Sequence, residues 1–537
     1  MLPSCIPTPF KQQGGILATA TRSYRTFLTT IQRSIPTERI INDPLRTLAY
    51  GTDASFYRLI PKVVIKAETE AEVITVLRTA HGMGLPVTFR AAGTSLSGQA
   101  VTDSILLVAG NCWTDHTILD GGGRIRLQPG IIGAQANRYL APLGKKIGPD
   151  PASINAAMIG GIAANNASGM CCGTAENSYK TLDSIRIVLA DGSLLDTGDS
   201  TSRERFATSH APLLDQLAAL AAEVRADLPL ADRIRHKYKL KNTTGYSLNA
   251  LVDYQDPFDI LAHLMIGSEG TLGFISEVVY RTVVEHPHKA SALMIFASIE
   301  DACRTVFFLK TVNVNAVELM DRAALRSVEN KKGMPAFLKT LPETATALLV
   351  ETRAENEDEL QYNVAMVVQA LDGVPLTSTA GMQAFSEKSS FTPMRCAATH
   401  LPVQFTDVAA EYTLLWNIRK GLFPSVGAVR RSGTTVIIED VAFPLKQLAA
   451  ATLELQQLFK KYHYDEAIIF GHALEGNLHF VFTQDFSQNS EVERYRAFMD
   501  EVCHMVVDSY DGSLKAEHGT GRNMAPYVLL ELSLIHI

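Results

Sequence analysis

The chain has 537 residues, which is too long for one hydrophobic core and indicates two to four domains. Hydrophobic residues make up 46% and charged residues 20%, a globular composition, and the net charge of −7 argues against a broad nucleic-acid-binding face. The seven cysteines are scattered without a CxxC spacing, which argues against a disulfide framework and against an iron–sulfur site within this chain.

The N-terminal segment predicts an arm and no targeting sequence. Residues 1–45 are interrupted by prolines and lack the continuous apolar stretch of a signal peptide, so we expect a helical arm. No run in the chain approaches the length of about 18 apolar residues that would predict a membrane span. Scattered cysteines fit a reducing compartment. We therefore expect a cytoplasmic location, with peripheral contact at the inner membrane left open.

The first half alternates strand and helix patterns. Residues 63–93 predict strand, helix and strand, and Thr69 followed by Glu72 is a capping-box pattern at the start of the helix. Strands continue to residue 200, with the Asp191–Gly192 pair as a hairpin signal. A helix is predicted over 212–225, and a strand closes this half before residue 285.

After residue 285 the order strand-then-helix occurs three times, over 292–310, 345–371 and 434–462. Residues 465–484 then predict a strand, a loop and a strand. Alternating strands and helices of this size indicate a second α+β domain with an antiparallel sheet.

A glycine loop follows the strand that ends near residue 90. Gly93 and Gly98 have the spacing of a P-loop, but Gln99 and Ala100 replace the lysine and hydroxyl residue that nucleotide hydrolysis requires. The remaining backbone N–H groups and small hydroxyl side chains suit a diphosphate that is bound and not cleaved. A tight turn without a ligand is the alternative.

Two further small-residue loops lie at 147–169 and 266–275. Gly160 and Gly161 allow close backbone approach, and Asn165 adds hydrogen-bonding capacity. No GxGxxG follows a strand, so a Rossmann site is not supported. Three such loops beside strands are hard to explain as turns alone.

His472 and His479 lie in "GHALEGNLHF" and are seven residues apart. An unbroken strand would place them on opposite faces, whereas a loop at 475–477 can bring them together. Glu517 and His518 in "AEHG" add a carboxylate and a third imidazole. Two histidines and a carboxylate form a common set for a divalent metal with open positions. The alternative is that the histidines cap strands or bind backbone carbonyls.

The ordered set of segments resembles the FAD-dependent 2-hydroxy-acid dehydrogenases of the vanillyl-alcohol-oxidase/PCMH superfamily. It is most similar to the D-lactate dehydrogenase and glycolate-oxidase-subunit group, and specifically to the flavin part of proteins with an FAD and an iron–sulfur domain. The resemblance covers about residues 45–526. The segments that carry it are YGTDASFYRLIPKVVIKAETEAEV, RAAGTSLSGQ, GPDPASINAAMIGGIAANNASG, NTTGYSLNAL, GSEGTLGFISEVV, GHALEGNLHF and AEHGTGR.

The resemblance implies an α+β fold: a PCMH-type FAD-binding domain followed by an α+β, ferredoxin-like substrate or cap domain with an antiparallel sheet. We expect the arm at 1–45, the FAD-binding domain at 46–285, the cap domain at 286–490, and at 491–537 a segment that returns to the flavin site. The match stops after Val528, which predicts a truncated C-terminus.

The resemblance also implies the cofactor site. The first glycine loop contains no histidine for a covalent tether, so FAD is expected to bind non-covalently. The residues expected to bind it are Arg90, Gly93, Thr94, Ser95, Leu96, Ser97, Gly98, Gln99, Pro149, Ser153, Ile159, Gly160, Gly161, Asn165, Ser168, Gly169, Glu269, Gly270 and Ile275.

For catalysis, the resemblance assigns a divalent metal, Zn or Mn, that polarises the substrate hydroxyl. Its ligands are His472, His479 and Glu517, and His518 is the base. Hydride is expected to pass from C2 to FAD N5. Arg419 is expected to hold the substrate carboxylate, with a surface arginine on a helix as the alternative, and Asn477 is a further substrate contact.

The sequence leaves several substrates and several electron acceptors open. Relatives acting on dicarboxylates carry a lysine at the position of Ile438, so we favour D-lactate, although the nearby Arg430 and Arg431 could compensate. Glu475 replaces the usual aspartate and leaves a role beside the metal open. Alternatives are a D-2-hydroxyglutarate or glycolate dehydrogenase or oxidase, or a non-catalytic flavin-binding subunit. The expected acceptor is an iron–sulfur domain or subunit, a quinone or a cytochrome.

Overall fold

The computed structural model describes residues 14–332, 334–375 and 388–536. Its helices are α1 Gly14–Ile31, α2 Pro44–Ala49, α3 Glu70–Gly82, α4 Gly133–Leu140, α5 Ile159–Asn165, α6 Ser178–Thr181, α7 Ser200–Ser209, α8 Ala211–Ala226, α9 Leu228–Lys237, α10 Ala250–Asp253, α11 Pro257–Met265, α12 Ile299–Leu309, α13 Arg322–Val328, α14 Glu357–Ala370, α15 Ala409–Lys420, α16 Leu422–Val429, α17 Leu448–Lys461, α18 Asn489–His504, α19 Gly521–Met524 and α20 Val528–His536.

The strands form three larger sheets and one small one. In chain order they are β1 Ile40–Ile41, β2 Val63–Ala67, β3 Val87–Arg90, β4 Ile105–Ala109, β5 His116–Leu119, β6 Arg124–Leu127, β7 Lys145–Ile147, β8 Leu182–Val188, β9 Leu194–Asp196, β10 Phe274–Val284, β11 His288–Phe296, β12 Ala316–Met320, β13 Thr346–Ala354, β14 Gly373–Pro375, β15 Met394–Cys396, β16 Thr435–Ala442, β17 Ile468–His472 and β18 Asn477–Gln484.

The first half holds two of these sheets. The first has the order β1-β2-β4-β3, with β2 and β3 parallel to β4. The second is antiparallel, with the order β5-β6-β10-β8-β9 and β7 paired to β10. The glycine loops leave or enter strands of both sheets, which places them side by side at the edge of this half.

Local sequence signals account for several of these elements. Thr69 Oγ1 accepts the N–H of Glu72 at 3.3 Å, as the predicted cap of α3 requires. The Glu72 carboxylate accepts the N–H of Glu68, one residue further out than a capping box predicts. The hairpin at Asp191–Gly192 is confirmed by antiparallel β8 and β9, with Gly192 at φ +81°. The predicted helix over 212–225 is α8.

The second half is built on a six-stranded antiparallel sheet of order β11-β13-β12-β17-β18-β16. One face packs on α12, α14, α17 and α18 around a large apolar core. The other face packs on α13, α15 and α16. The α+β class, with an antiparallel sheet in the second half, is therefore confirmed.

The hairpin β17–β18 answers the question that the spacing of His472 and His479 raises. Phe470 lies directly opposite His479 in the register, so both point to one face, and His472 shares that face two residues later. The turn ends at Gly476 in a left-handed conformation, with φ +63°. The loop predicted at 475–477 thus reverses the chain and brings both imidazoles to one side of the sheet.

The C-terminal segment lies between the two halves. Ser513 bridges to Ala442 in β16, and the carbonyl of Lys515 accepts the N–H of Thr243 at 2.7 Å. The N–H of Arg522 then bonds to the carbonyl of Ser97 in the first glycine loop. Residues 513–522 are consequently fixed to both halves at once.

The domain limits at 45, 285 and 490 stay a prediction. The arm predicted over 1–45 contains α1 and the first two residues of α2, and its residues 40–41 form the edge strand β1 beside β2. Residues 1–13 lie outside the described part of the chain. Among the helices that the structure describes, none has the length and apolar character needed to cross a membrane.

We predict that Gly476→Ala destabilises the fold. A Cβ at this position would lie 1.9 Å from the carbonyl oxygen of Phe443, and the left-handed backbone disfavours an L residue. The two effects together are expected to cost about 2 kcal/mol or more. The check is the midpoint of urea-induced unfolding.

Gly433→Ala is the matched control, because Gly433 has φ +88° but nothing within 4 Å of an added Cβ. It should cost only the backbone penalty of about 1–2 kcal/mol. Equal midpoints for the two variants would contradict the steric account of the β17–β18 turn.

Candidate flavin and metal site

A cavity of about 480 Å³ lies where the glycine loops meet the C-terminal segment. Its volume is within the usual range for a small-molecule site, about 300–1,000 Å³. The predicted cofactor residues that line it are Arg90, Gly93, Thr94, Ser95, Leu96, Gln99, Ser153, Gly160, Gly161, Asn165, Ser168, Glu269, Gly270 and Ile275. Glu517, His518 and Phe423 complete the lining, so groups from both halves face one space.

Five of the predicted cofactor residues do not line the cavity. They belong to the buried structure around it. Ser97 is fully buried, with its Oγ 3.3 Å from Lys515 Nζ. The carbonyl of Gly98 accepts from Arg522, and that of Gly169 accepts from Lys241. Ile159 lies in the apolar core of the first half. The fifth is Pro149, which is also buried.

A cation and a glycine without a side chain line this cavity. Arg90 lines it half-buried and donates to the carbonyl of Tyr50 at 3.2 Å. In the ranges that the structure describes, no carboxylate lies within ion-pair distance of this guanidinium. A diphosphate would therefore be its natural partner. Gly161 is exposed to the cavity, and an added Cβ there would meet only Ala91, at 3.6 Å.

Glu269 lines the same cavity and can supply a hydrogen-bond donor there. Burial raises the pKa of Glu269 to about 8, so the carboxyl group is largely neutral at pH 7. Its backbone is left-handed, with φ +55°, and is held by a bond from its N–H to the carbonyl of Ala164. Oε1 is buried without a hydrogen-bond partner in the described chain. A neutral carboxyl group aimed into the cavity suits an anionic or carbonyl acceptor.

The backbone of the C-terminal segment is fixed from the first half. Gln99 Nε2 donates to the carbonyl of His518 at 2.8 Å, and Asn165 Nδ2 donates to the carbonyl of Glu517 at 2.6 Å. The N–H of Gly519 bonds to Thr243 Oγ1 at 3.0 Å. The loops that shape the cavity therefore also fix the backbone of Glu517 and His518.

The three predicted metal ligands form a compact triangle. The Nε2 atoms of His472 and His479 lie 3.3 Å apart, and Oε1 of Glu517 lies 3.1 Å from the first and 3.2 Å from the second. Ligand atoms about 3.0–3.4 Å apart are expected around a divalent ion with bonds of about 2.0–2.1 Å. The donor set thus fits a divalent metal with open positions on the cavity side.

Buried partners hold the triangle in place. Glu318 Oε1 lies 2.6 Å from His472 Nδ1, and Lys241 Nζ lies 3.0 Å from Glu517 Oε2. Burial alone would raise the pKa of Glu517, but Lys241 and His472 hold it well below its usual value. Burial lowers the pKa of His479 to about 4. Glu517 as an anion and His479 as a neutral imidazole are the forms that bind a metal.

His518 lies beside this triangle and has its own carboxylate. Its Nδ1 is 3.1 Å from Asp440 Oδ1, and its ring stacks on that of His479 with centroids 5.0 Å apart. Asp440 Oδ2 accepts the backbone N–H groups of Glu517 and His518 at 2.6 and 3.2 Å. Burial opposes ionisation, but His518 and Lys515 nevertheless lower the pKa of Asp440. The imidazole of His518 thus lies at ion-pair distance from a buried carboxylate, outside hydrogen-bond geometry.

The predicted substrate residues belong to the second half of the chain. Arg419 is buried, its Nε donates to Glu318 Oε2 at 2.6 Å, and its guanidinium stacks 4.4 Å over the ring of Phe470. Asn477 is fully buried and donates to the carbonyl of Val441, leaving Oδ1 without a partner in the described chain. Glu475 pairs with Lys310 at 2.8 Å and accepts from Thr174 Oγ1 at 3.4 Å, and it is not one of the three residues of the triangle.

Four charged residues of the site were not singled out from the sequence: Lys241, Glu318, Asp440 and Lys515. Each is buried, and Lys515 pairs with Glu439 at 2.6 Å. Glu318 and Asp440 interrupt otherwise apolar strand segments, AVELM and IIEDVA. A charge within an apolar strand is a usable signal, because a carboxylate is seldom buried without a partner.

Two family models match the chain. One, described as an FAD binding domain, matches residues 61–198, and the other, FAD linked oxidases, C-terminal domain, matches 285–534. The chain belongs to the FAD-linked oxidases of the PCMH/vanillyl-alcohol-oxidase superfamily. The matched ranges contain the first two glycine loops and the three residues of the metal triangle, and the third loop, at 266–275, lies between the two ranges.

Curated relatives of this FAD-linked oxidase are named as enzymes of 2-hydroxy acids. D-2-hydroxyglutarate dehydrogenase of Haemophilus influenzae is 23% identical over 88% of this chain and 46% of that protein. Glycolate oxidase subunit GlcD of Escherichia coli is 26% identical over 92% and 83%. D-lactate dehydrogenase of Anaerostipes hadrus is 22% identical over 89% and 85%. The chain thus spans about half the length of the first relative and most of the other two.

Solved structures agree on the fold. p-Cresol methylhydroxylase with substrate bound superposes with a TM-score of 0.61, at 11% identity, over 95% of this chain and 90% of that one. Alkyldihydroxyacetonephosphate synthase gives 0.61 at 14% identity, over 96% and 83%. At such identities the likeness concerns the fold alone. The predicted PCMH-type FAD-binding domain followed by a second α+β part is confirmed.

We predict that Gly161→Leu folds but loses flavin. The leucine side chain would enter the cavity, and overpacking of about 1–3 kcal/mol corresponds to roughly a tenfold or greater loss of affinity. Flavin content is read from the absorbance near 450 nm relative to 280 nm, with far-UV circular dichroism as the fold check.

Gly82→Leu is the control for this substitution. Gly82 ends α3 on the surface, and an added Cβ would meet nothing within 4 Å. The control should keep wild-type flavin content. A Gly161→Leu protein with equal flavin content would contradict the position of the cofactor.

Proposed function

We propose that the chain oxidises a small D-2-hydroxy acid, with D-lactate favoured, to the corresponding 2-oxo acid. The observation that supports this most directly is that His518 and Glu517 line the cofactor cavity while Glu517 also belongs to the metal triangle. One short segment thus joins a base, a metal ligand and the flavin cavity. This combination suits abstraction of the hydroxyl proton and removal of the hydride from the carbon that carries this hydroxyl.

The cofactors would occupy separate parts of this site. FAD would bind non-covalently in the cavity lined by the three loops, and Zn²⁺ or Mn²⁺ would be held by His472, His479 and Glu517. When bound, FAD supplies the acceptor for the C2 hydride and the ion supplies Lewis-acid polarisation of the substrate hydroxyl. The chain's own residues bind the acid, orient it and move its proton.

His518 is the proposed base. Its Nδ1 faces Asp440, which leaves Nε2 for the substrate hydroxyl on the cavity side. Proton uptake at Nε2 creates an imidazolium next to a buried carboxylate, and that pairing stabilises the charge. Asp440 also accepts the backbone N–H of His518, so the same carboxylate fixes the main chain that carries the ring.

Arg419 is the proposed carboxylate-binding group. Its Nε is bonded to Glu318, and in the described chain no hydrogen bond occupies its terminal nitrogens. Those two nitrogens can grip a carboxylate in a bidentate manner. Asn477 Oδ1 and Nδ2 lie at the start of β18, where a contact to the bound acid is proposed as well.

The surroundings favour a small acid over a dicarboxylate. Ile438 lies two residues before Asp440 in β16 and packs in the apolar cluster beside Val481. Arg430 donates to the carbonyls of Gly427 and Thr434, and Arg431 pairs with Asp485 at the surface. Both arginines are exposed and bonded elsewhere, so a second carboxylate lacks an evident cation. D-2-hydroxyglutarate stays the second candidate because two of its dehydrogenases are among the relatives.

The electron acceptor is a separate proposal. The chain spans 46% of the Haemophilus influenzae dehydrogenase, and a relative from Arabidopsis thaliana is named D-lactate dehydrogenase [cytochrome], mitochondrial. We therefore propose transfer to an iron–sulfur domain or subunit, a quinone or a cytochrome, in a cytoplasmic protein with peripheral membrane contact as an option. Rapid reoxidation of the reduced flavin by air would instead identify an oxidase.

We predict that His518→Ala keeps its flavin but slows substrate-driven flavin reduction by about 10²–10⁴-fold, the usual contribution of a general base. Stopped-flow absorbance near 450 nm under anaerobic conditions measures the rate. His504→Ala is the control, because His504 is exposed at the end of α18 and pairs only with Asp508. Wild-type reduction rates in His518→Ala would overturn the assignment of the base.

The substrate is tested by anaerobic flavin bleaching with D-lactate, L-lactate, glycolate and D-2-hydroxyglutarate, each with and without added Zn²⁺ or Mn²⁺. D-Lactate is expected to bleach fastest, because the site offers one cation for one carboxylate. Faster bleaching by D-2-hydroxyglutarate would establish the second candidate. Flavin that none of these acids bleaches would favour a non-catalytic flavin-binding subunit.

A further inference from the structure

We propose that Glu318 is a positioning residue that ties the metal ligand His472 to the carboxylate-binding Arg419. This inference rests on the proposed function. Glu318 lies in β12 directly opposite His472 in β17, and it is completely buried. Both of its carboxylate oxygens are used: Oε1 is 2.6 Å from His472 Nδ1 and Oε2 is 2.6 Å from Arg419 Nε.

The contact with His472 fixes which ring nitrogen faces the metal. An ionised carboxylate only accepts hydrogen bonds, so Nδ1 of His472 carries the hydrogen. Nε2 then presents its lone pair towards His479 and Glu517, 3.3 and 3.1 Å away. A carboxylate behind a metal-binding imidazole fixes its orientation and raises its basicity, and loss of such a partner commonly costs 10–100-fold in metal affinity.

The contact with Arg419 fixes the plane of the guanidinium. Its Nε–H is bonded to Glu318, and one face of the group is covered by the ring of Phe470 at 4.4 Å. The terminal nitrogens therefore point in one direction. A planar, two-point donor held in this way recognises a carboxylate with defined orientation.

The two contacts together give Glu318 a role in substrate selection. A metal ion held by His472 would bind at the hydroxyl end of the substrate, and Arg419 would bind at the carboxylate end. Because the single carboxylate of Glu318 orients both His472 and Arg419, strands β12 and β17 fix the separation between these two binding groups. A rigid separation favours acids with the hydroxyl on the carbon next to the carboxylate over those with the hydroxyl one carbon further away.

Glu318→Ala and Glu318→Gln test the link between His472 and Arg419, and both readouts measure binding. The first readout is the dissociation constant for Zn²⁺ and Mn²⁺ on flavin-loaded protein, by competition with a chelator. The second is the flavin absorbance change on binding 2-hydroxy-2-methylpropionate, which has the hydroxyl and carboxylate but no hydrogen on C2 to transfer. Its 3-hydroxy counterpart, 3-hydroxybutyrate, measures the discrimination.

Glu318→Ala should weaken metal binding about 10–100-fold, and it should reduce the preference for the 2-hydroxy analogue over 3-hydroxybutyrate. The near-isosteric Glu318→Gln offers one oxygen for two donors, so at least one of the two affinities should fall tenfold or more. Far-UV circular dichroism and flavin content show that each variant is folded.

Glu351→Gln is the matched control. Glu351 is a buried carboxylate on the neighbouring strand β13, and it bonds to Trp416 and Ser291, which are outside the metal triangle. It should keep both affinities. Folded Glu318 variants that also keep both would overturn this inference alone, whereas a wild-type protein that binds no divalent ion would overturn the metal assignment and this inference with it.

Discussion

The site depends on the double anchoring of one backbone segment. Glu517 and His518 receive hydrogen bonds at their carbonyls from Asn165 and Gln99 in the first half, and they donate their N–H groups to Asp440 in the second. Each half thus fixes the segment from a different side. Without this arrangement the cavity would lack the wall that Glu517 and His518 form.

The polar side chains beside this segment share one face of the six-stranded sheet of the second half. Glu318, His472, His479 and Asp440 come from the adjacent strands β12, β17, β18 and β16 and point to the same side. Further along these strands the same face is apolar and packs on helices. Buried charges of this kind are costly unless they are paired, and each of the four has an oppositely charged or hydrogen-bonding neighbour. The face therefore combines a stable core at one end with reactive groups at the other.

Much of the fold and site could be predicted from the sequence, because the relevant signals are local. The hairpin at Asp191–Gly192, the cap at Thr69 and the loop between His472 and His479 each depend on a few neighbouring residues. The pairing of Glu318 with His472 could not be predicted, since it depends on the register of strands about 150 residues apart in sequence, which no local pattern encodes. The roles proposed for the site residues likewise rest on resemblance and geometry together, while the family itself is established by the two matched models.

The glycines that follow His518 have a consequence for how the protein matures. Gly519 and Gly521 are left-handed, and side chains there would collide with Glu269 and Ser97, so the segment fits against the cofactor loops only as bare backbone. The loop around Ser97 and the segment that closes it are separated by more than 400 residues of sequence. During synthesis this side of the cavity consequently stays open until residues 513–522 have left the ribosome and packed against the first loop.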